Sequence, residues 1–375
     1  MTPAMPRRKE GNDARQYARL PDPFAMHGGG VLKDATLAYE TWGALNAAQD
    51  NAILLFTGLS PSAHAASSAA DREDGWWESI IGPSLAIDTD RYFVICVNSL
   101  GSCFGSTGPA SIDPRTGQRY GLNFPQLAVE DIANAAWHVT RGLGIQQLDT
   151  VMGPSLGGMA CLAYLALHPD GARRLISISG SAAASPFAIA LRSVQREAIT
   201  RDPDWQHGSY APGRPPHNGL ILARKMGTIT YRSRAEWENR FARQPGRQAK
   251  RVGQRNGFAG EFMVEDYLDA QSLRFAERFD ANCYLYLSRA MDRFDLAAHG
   301  KNLPEIFARS SMTKALVIGV SSDILFPIEE QQRIAAAITA GGRECEMIAM
   351  PSLQGHDAFL VDIERFAGAL GNFLR

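Results

Sequence analysis

A serine flanked by glycines lies where a strand should pass into a helix. The segment V-M-G-P-S-L-G-G-M-A places Ser155 between Gly153 and Gly157, in the form G-x-S-x-G. A sharp strand-to-helix turn of this kind holds the hydroxyl group exposed above a sheet. Glycine on both sides avoids a collision at the tight crossing. Ser155 is therefore a candidate nucleophile, and the alternative is a glycine-rich turn whose serine caps the helix.

Two further residues could complete a catalytic triad with this serine. A serine hydroxyl group needs a base, and the base needs an acid that orients it. The expected chain order is serine, acid, histidine. Asp323 in S-S-D-I-L-F-P and His356 in L-Q-G-H-D-A-F-L supply that order, each just after a strand-like run. The alternatives are a histidine at a helix N-terminus and a turn aspartate, since three other acids lie in range: Asp292, Asp295 and Asp357.

Acyl transfer also needs N–H donors for the oxyanion of the tetrahedral intermediate. The backbone N–H of Leu156, directly after the serine, is one candidate. The loop T-G-L-S-P-S-A-H, which follows the run A-I-L-L-F, should supply the other, and Leu59 is the choice by position. The alternative for this loop is a plain turn.

The elements that must position these residues alternate along the chain. Near-continuous apolar strands indicate a sheet that is covered on both faces, with parallel strands joined by helices. The predicted strands are Ala52–Phe56, Tyr92–Val97, Leu148–Met152, Leu175–Ser179, Ala315–Val320 and Glu346–Met350. The predicted helices of this layer are Ile132–Leu143, Leu156–His168, Ile328–Thr339 and Val361–Arg375. The predicted fold class is α/β, with a mostly parallel central sheet flanked by helices.

The stretch 185–312 differs from the rest of the chain in its sequence pattern, because it has helical segments and no strong strand signals. Its expected helices are Ala188–Thr200, Gly219–Met226, Ala235–Ala242, Val264–Ala276 and Tyr284–Met291. We interpret this stretch as a helical insertion that forms a lid over the site. The predicted organisation is a core of residues 17–184 and 313–375 with the lid at 185–312. We expect residues 1–16 to be poorly ordered.

Composition narrows the class of protein. The 375 residues carry a net charge of −1, so no electrostatic footprint for nucleic acid or a membrane surface is visible. No apolar run reaches the ~18 residues of a membrane span. The five cysteines have no C-x-x-C spacing, which is typical of reduced cytoplasmic thiols. We expect a cytoplasmic protein with small-molecule substrates and no nucleic-acid or membrane partner.

Longer motifs are more specific than the serine turn. They are G-W-W-E-S-I-I-G-P at Gly75, A-I-D-T-D-R-Y-F-V-I-C at Ala86, G-S-T-G-P-A-S at Gly105, R-D-P-D-W at Arg201, A-R-K-M-G-T-I-T-Y-R-S at Ala223 and F-D-A-N-C-Y-L-Y-L-S-R-A-M-D at Phe279. With them, the chain from Thr36 to its last helix resembles the homoserine O-acyltransferase branch of the α/β-hydrolase superfamily. That branch includes homoserine O-acetyltransferases and serine O-succinyltransferases.

The resemblance implies an α/β-hydrolase fold and transfer of an acyl group from coenzyme A to an amino-acid hydroxyl group. It implies an acyl-serine intermediate, no metal, no bound cofactor besides the acyl-CoA co-substrate, and a homodimer that pairs through lid helices. Ser155, Asp323 and His356 match the triad of the family. Arg224 matches the arginine that holds the amino-acid carboxylate, and Asp357 matches the residue that pairs with the ammonium group. The alternatives are a surface helix arginine and a helix N-cap.

Two departures from the acetyltransferase pattern concern specificity. The loop with Gly58, Leu59, Ser60 and Pro61 looks like the version in serine O-succinyltransferases, and its bulk would shorten the amino-acid pocket by about one methylene. Arg192 stands where relatives often have asparagine. A succinyl group carries a free carboxylate, which is costly to bury without a cation, so Arg192 is the candidate cation. The alternative is a cation on a helix surface.

The predicted activity is therefore serine O-succinyl transfer, from succinyl-CoA to L-serine, in cysteine biosynthesis. Homoserine O-acetyl or O-succinyl transfer in methionine biosynthesis is the alternative with the same machinery. A serine-triad esterase would use water as the acceptor. A non-catalytic relative that acts as a binding or scaffold protein is the remaining class.

Overall fold

An eight-stranded sheet forms the centre of the computed structural model, which describes residues 13–211, 213–246 and 260–375. The described strands are β1 (Gln16–Arg19), β2 (Phe24–Ala25), β3 (Val31–Leu32), β4 (Thr36–Trp42), β5 (Ala52–Phe56), β6 (Ile81–Gly82), β7 (Ile87–Asp88), β8 (Phe93–Val97), β9 (Leu148–Pro154), β10 (Ala172–Ile178), β11 (Lys314–Val320) and β12 (Glu344–Met350). Their order in the main sheet is β1-β4-β8-β5-β9-β10-β11-β12.

The helices divide into those of the core and those of an insertion. The core helices are α1 (Val129–Gly142), α2 (Leu156–Leu167), α8 (Leu303–Arg309), α9 (Ile328–Ala340), α10 (Ala358–Val361) and α11 (Ile363–Leu374). The inserted helices, which we call the lid, are α3 (Pro186–Thr200), α4 (His217–Thr230), α5 (Arg234–Phe241), α6 (Met263–Ala276) and α7 (Ala281–Arg293). Among the described residues, no helix is both long and apolar enough to cross a membrane.

Most strands of the main sheet are parallel, and only β1 and β4 pair antiparallel with their neighbours. Successive side chains of one strand point to opposite faces. In β5, Leu54 and Phe56 lie in the hydrophobic cluster on one face, while Ile53 and Leu55 lie in the cluster on the other. Because both faces are covered, the strand is buried throughout, which explains its unbroken apolar sequence.

The helix that follows the serine is apolar on every side. All residues from Leu156 to Leu165 are buried in α2, which packs on the sheet and against α1. The other face of the sheet is covered by α11, whose Phe366, Leu370 and Phe373 are buried there. The carboxyl end of β9, which precedes Ser155, is therefore held by a sheet that is covered on both faces.

All six predicted strands are present, with bounds that differ by a few residues. The antiparallel strands β1 and β4 were not among the predictions. Gln16 is the first residue of β1 and pairs with Tyr39 at the edge of the sheet, so the first described strand begins close to the predicted limit of poor order, at about residue 16. The rest of that expectation falls on residues 1–12, which lie outside the described residues.

The described residues of the stretch 185–312 form helices and turns. Its last helix, α8, packs on the core rather than with the lid. Gly341, which ends α9, lies so close to Pro304 that a Cβ atom would be 2.7 Å from the proline carbonyl oxygen. Phe307 is fully buried in the core cluster. We therefore count α8 with the core, and α7 is the last helix of the lid.

Candidate active site

Ser155 sits on a strained turn between β9 and α2. Its φ of 56° and ψ of −119° lie in a region that side-chain-bearing residues rarely adopt, at a cost of about 1–3 kcal/mol. A Cβ atom on Gly157 would come within 2.6 Å of the Phe56 carbonyl oxygen, and one on Gly153 would collide with Gly157. The two glycines thus let the turn approach β5 closely, and the serine side chain makes no capping hydrogen bond to the helix.

The three predicted triad residues meet at the carboxyl ends of their strands. Ser155 Oγ lies 2.8 Å from His356 Nε2, and His356 Nδ1 lies 2.6 Å from Asp323 Oδ2. All three side chains are buried. The second oxygen of Asp323 accepts backbone N–H bonds from Leu325 and Phe326, which fix the carboxylate. This arrangement can deprotonate the serine hydroxyl group and stabilise the resulting imidazolium.

The other acids in range have different partners. Asp292 pairs with arginines of the lid, and Asp295 accepts the backbone N–H of Ala297. The imidazole of His356 is held further by Phe326, whose ring stacks on it with centroids 5.0 Å apart. Phe326 was not singled out from the sequence, although it follows Asp323 by three residues.

The loop after β5 lies against the serine turn. A Cβ atom on Gly58 would be 3.9 Å from the Pro154 carbonyl oxygen, so this loop and the turn are in contact. Leu59 lines the cavity in front of Ser155. Leu156 is the first residue of α2, where a backbone N–H has no acceptor within the helix. The backbone N–H groups of Leu59 and Leu156 therefore remain the predicted oxyanion donors.

A cavity of about 1130 Å³ opens in front of the triad, between the core and the lid. The core side includes Ser155, His356 and the loop residues 58–62. Lid residues form the opposite wall. These are Leu191, Arg192, Gln195, Arg224, Gln271, Arg274, Phe275, Tyr284 and Met291. This volume lies just above the range of about 300–1,000 Å³ that is typical of small-molecule sites.

Arg192 is a buried cation on this wall. Only 5% of its surface is exposed, which excludes a helix-surface role. Its Nε donates to Asp292 Oδ1 at 2.6 Å. Within the described residues, its Nη1 and Nη2 atoms are buried without a hydrogen-bond partner. Because buried donors are costly to leave unpaired, these two nitrogens indicate a site for an anion.

Arg224 lines the same cavity from α4. Its guanidinium lies over the ring of Phe275, 4.5 Å from the centroid, and 5.4 Å from that of Tyr231. Its Nε is buried without a hydrogen-bond partner among the described residues. The stacked rings hold the guanidinium plane in place, which suits bidentate binding of a carboxylate.

Asp357 also faces the cavity, and the structure shows how it is held there. Arg232 Nε lies 3.3 Å from Asp357 Oδ2, and the arginine is almost fully buried. The backbone N–H of Asp357 donates to the carbonyl oxygen of Tyr231, and Asp357 makes no side-chain capping bond. Burial raises the pKa of Asp357, partly offset by the charges of Arg232 and Arg224. Arg232 lies in the motif A-R-K-M-G-T-I-T-Y-R-S but was not singled out from it.

His64 is a second buried histidine on the cavity wall that sequence reasoning missed. Its Nδ1 lies 2.8 Å from Glu40 Oε2, and its Nε2 lies 2.8 Å from the carbonyl oxygen of Glu73. The Glu73 carbonyl oxygen can only accept, so Nε2 donates to it, and we expect Nδ1 to donate to the Glu40 carboxylate, which makes the ring an imidazolium. Burial lowers the pKa of His64, but the hydrogen bond and charge of Glu40 outweigh it and the net pKa is raised. This cation ties the loop after β5 to β4.

His64→Gln is expected to lower the free energy of unfolding by about 3 kcal/mol, because it breaks the buried pair with Glu40 and disturbs the hydrogen bond to the Glu73 carbonyl oxygen. Urea-induced unfolding measures the loss. The control is His207→Gln, at an exposed histidine, which should leave stability unchanged. A loss below about 1 kcal/mol for His64→Gln, within the range of an ordinary neutral hydrogen bond, would contradict the imidazolium.

Comparison with known proteins agrees with this geometry. A sequence profile described as the alpha/beta hydrolase fold matches residues 51–361. The chain is 54% identical to a serine O-succinyltransferase of Litchfieldella anticariensis over 363 residues, which are 96% of this chain and 98% of the relative. It is also 54% identical to an L-serine/homoserine O-acetyltransferase of Streptomyces lavendulae over 364 residues, 96% and 97% of the two chains.

A solved structure is similar over nearly the same range. The crystal structure of homoserine O-acetyltransferase from Bacillus anthracis superposes with a TM-score of 0.88 at 28% sequence identity, covering 96% of this chain and 97% of that one. The predicted fold class and the resemblance stated from the motifs are thereby confirmed.

Proposed function

Because the chain belongs to the α/β-hydrolase fold family, we propose that Ser155, His356 and Asp323 are the nucleophile, base and orienting acid of an acyl transfer. The donor is an acyl-CoA, and the acceptor is the hydroxyl group of an amino acid. The reaction that fits the cavity best is succinyl-CoA plus L-serine to O-succinyl-L-serine plus coenzyme A, a step of cysteine biosynthesis.

The first half-reaction acylates the enzyme. His356 Nε2 takes the proton from Ser155 Oγ, 2.8 Å away, as the oxygen attacks the thioester carbonyl carbon. Backbone N–H groups of Leu156 and Leu59 hold the oxyanion. Collapse of the tetrahedral intermediate breaks the carbon–sulfur bond, and coenzyme A leaves as a thiolate that takes the proton from His356. Asp323 stabilises the imidazolium while it exists.

The second half-reaction runs the same chemistry with the amino acid as nucleophile. His356 takes the proton of the acceptor hydroxyl group, whose oxygen attacks the acyl-serine. Collapse returns Ser155 and releases the ester. Arg224 holds the acceptor carboxylate and Asp357 its ammonium group, so the hydroxyl group points to the acyl carbon. Such positioning removes much of the entropic cost of a bimolecular step.

Two guanidinium groups that face one cavity carry this proposal. Arg192 and Arg224 both have buried, unpartnered N–H groups within the described residues, and both share the cavity with Ser155. Serine and the succinyl group each bring one carboxylate. An acetyl group brings none, and would leave the Nη atoms of Arg192 buried and unsatisfied. Two carboxylates therefore match the two lining arginines that have buried, unpartnered N–H groups within the described residues.

The loop after β5 sets the length of the acceptor pocket. Its cavity-lining members are Gly58, Leu59, Ser60 and Pro61. Their bulk favours serine over homoserine, which is one methylene longer. One methylene is typically worth ~1–3 kcal/mol, so we expect a preference rather than strict exclusion.

Thiol release measured in a two-by-two design tests the proposal. Succinyl-CoA and acetyl-CoA are each offered with L-serine and with L-homoserine, and the products are identified by mass. The greatest kcat/KM is expected for succinyl-CoA with serine. A preference for acetyl-CoA with homoserine would contradict the assigned specificity but keep the triad, in line with the acetyltransferase relative. Rapid thiol release without any amino acid would indicate a hydrolase.

The pH dependence of kcat/KM reports on the base. Burial lowers the pKa of His356, but the charge of Asp323 and the hydrogen bond to it outweigh burial, so the net pKa lies above 6.5. The base acts as the neutral imidazole, so activity is lost as the pH falls through this raised pKa. The acid limb of kcat/KM is expected to have its midpoint above pH 6.5. A midpoint below that value would contradict the coupling to Asp323.

We also propose a homodimer that pairs through the lid. Five large apolar side chains of α3, α4 and α6 are about half exposed in the single chain: Phe187, Val194, Leu222, Ile229 and Leu273. A second copy would cover them. Sedimentation equilibrium at micromolar concentration gives the mass of the assembly, and a monomer mass would contradict this surface.

The cytoplasm is the proposed compartment. All five cysteines are free, which suits a reducing environment. Acyl-CoA donors carry phosphate groups that do not cross membranes unaided, so an enzyme that uses them must meet them inside the cell.

A further inference from the structure

Three potential metal ligands converge outside the cavity. His27 lies in the turn after β2, Glu130 in the first turn of α1, and His299 in the short helical turn before α8. One ligand atom of each side chain lies within 4.8 Å of those of the other two. None of the three lines the cavity in front of Ser155.

The spacing of the ligand atoms fits a small cation. His299 Nε2 is 2.9 Å from Glu130 Oε1, and His27 Nε2 is 4.0 Å from the same oxygen. In a tetrahedral site with metal–ligand bonds of about 2.0–2.1 Å, the ligand atoms are about 3.3 Å apart. The two observed separations bracket this value. The side chain of His27 is about half exposed, so its ring has room to move the remaining distance, somewhat under 1 Å, toward Glu130.

The central ligand is a buried carboxylate. Glu130 is 6% exposed. Its Oε1 lies between the Nε2 atoms of His299 and His27, and the His27 side chain is about half exposed. A carboxylate between two imidazoles, one of them open to solvent, gives a cation both a set of ligands and a path of entry.

Backbone contacts fix the segments that carry the ligands. Asp131, next to Glu130, accepts the backbone N–H of His27 at 2.6 Å and that of Ala128 at 2.8 Å. Arg309 Nη2 donates to the carbonyl oxygen of His299 at 2.5 Å. The turn with His27 is thus tied to the helix that carries Glu130, and the turn with His299 is tied to α8. Such supports orient metal ligands before the ion arrives.

We propose that His27, Glu130 and His299 form a zinc site that is separate from the catalytic centre. Two imidazole nitrogens and one carboxylate oxygen are a ligand set that Zn²⁺ takes in proteins, with water in the fourth position. The ion would join the N-terminal turn, the start of α1 and the segment between the lid and α8. Its effect is on stability, since it binds the folded chain, in which the three segments meet.

Zinc titration of the purified chain tests this site. Isothermal titration after removal of metals is expected to give one Zn²⁺ per chain, and saturating zinc should raise the melting temperature by about 3 °C. His27→Ala is the decisive variant because His27 is exposed, so the fold should survive. It is expected to weaken zinc binding by about 100-fold or more and to abolish the thermal shift.

Two controls separate this site from others. His207→Ala, at an exposed histidine outside the cluster, should bind zinc as the parent chain does. His356→Ala should also retain binding, which excludes an ion on the triad. A second disabling variant, His299→Gln, should behave like His27→Ala. The proposal is overturned if zinc does not bind stoichiometrically, or if it binds His27→Ala as tightly as the parent.

Discussion

Ser155→Ala is expected to lower kcat/KM for thiol release by at least about 10⁴-fold. The variant keeps the cavity, the oxyanion donors and the His356–Asp323 pair, but it has no oxygen to receive the acyl group. Removal of a nucleophile that works as a unit with its base costs nearly the whole contribution of the triad. The strained backbone of Ser155 also accepts alanine with little change, since both residues carry a Cβ atom.

The acyl-enzyme gives this prediction a direct readout. Mixed with succinyl-CoA and no acceptor, the parent chain should gain the mass of one succinyl group on the peptide that contains Ser155, and Ser155→Ala should gain none. Ser193→Ala, at an exposed serine of the lid, is the matched control and should behave as the parent. Normal thiol release by Ser155→Ala would exclude the assigned nucleophile.

Arg192→Asn is expected to discriminate between the donors. With succinyl-CoA, kcat/KM should fall by about 100-fold, because the carboxylate of the donor would be buried without its cation. With acetyl-CoA the change should stay within about threefold, since that donor makes no such contact. The fold should survive because Asp292 keeps Arg196, whose Nη2 lies 2.5 Å from Asp292 Oδ2.

Two further variants serve as controls for the Arg192→Asn measurement. Arg289→Asn removes another cation near Asp292, at 4.0 Å, but this arginine is half exposed and does not line the cavity, so both donors should react as with the parent. Arg224→Ala should raise the KM for the amino acid equally with either donor. An equal loss on both donors for Arg192→Asn would remove its role as the succinyl cation.

The triad could be predicted because its signals are local. Ser155, Asp323 and His356 each follow an apolar strand, and parallel strands bring their carboxyl ends to one edge of a sheet. The strand order within the sheet was not needed for this step. The catalytic roles stay predictions until the variants are measured, whereas the proximity of the three side chains is a property of the structure.

Contacts between distant segments could not be predicted in the same way. Arg192 and Asp292 are 100 positions apart, and the sequence around either residue does not indicate that their side chains form a hydrogen bond. The strand β4 was missed because its sequence, T-L-A-Y-E-T-W, breaks the apolar run with Glu40. That glutamate is buried and its Oε2 lies 2.8 Å from His64 Nδ1, a contact between segments 24 positions apart. A strand that contains a buried polar residue with a distant partner is therefore difficult to predict from the pattern of apolar residues alone.

The division between core and lid bears on how the enzyme can change. Under the proposed function, the atoms that move protons and form the ester bond belong to the core, while Arg192 and Arg224, the proposed carboxylate-binding residues, belong to α3 and α4. We therefore expect that mutation in these two helices can change how carboxylates are bound without touching the Ser155–His356 hydrogen bond. A library confined to residues 186–230 is therefore a small search space for new choices of acyl donor, whereas the choice of acceptor also involves the loop of residues 58–61 in the core.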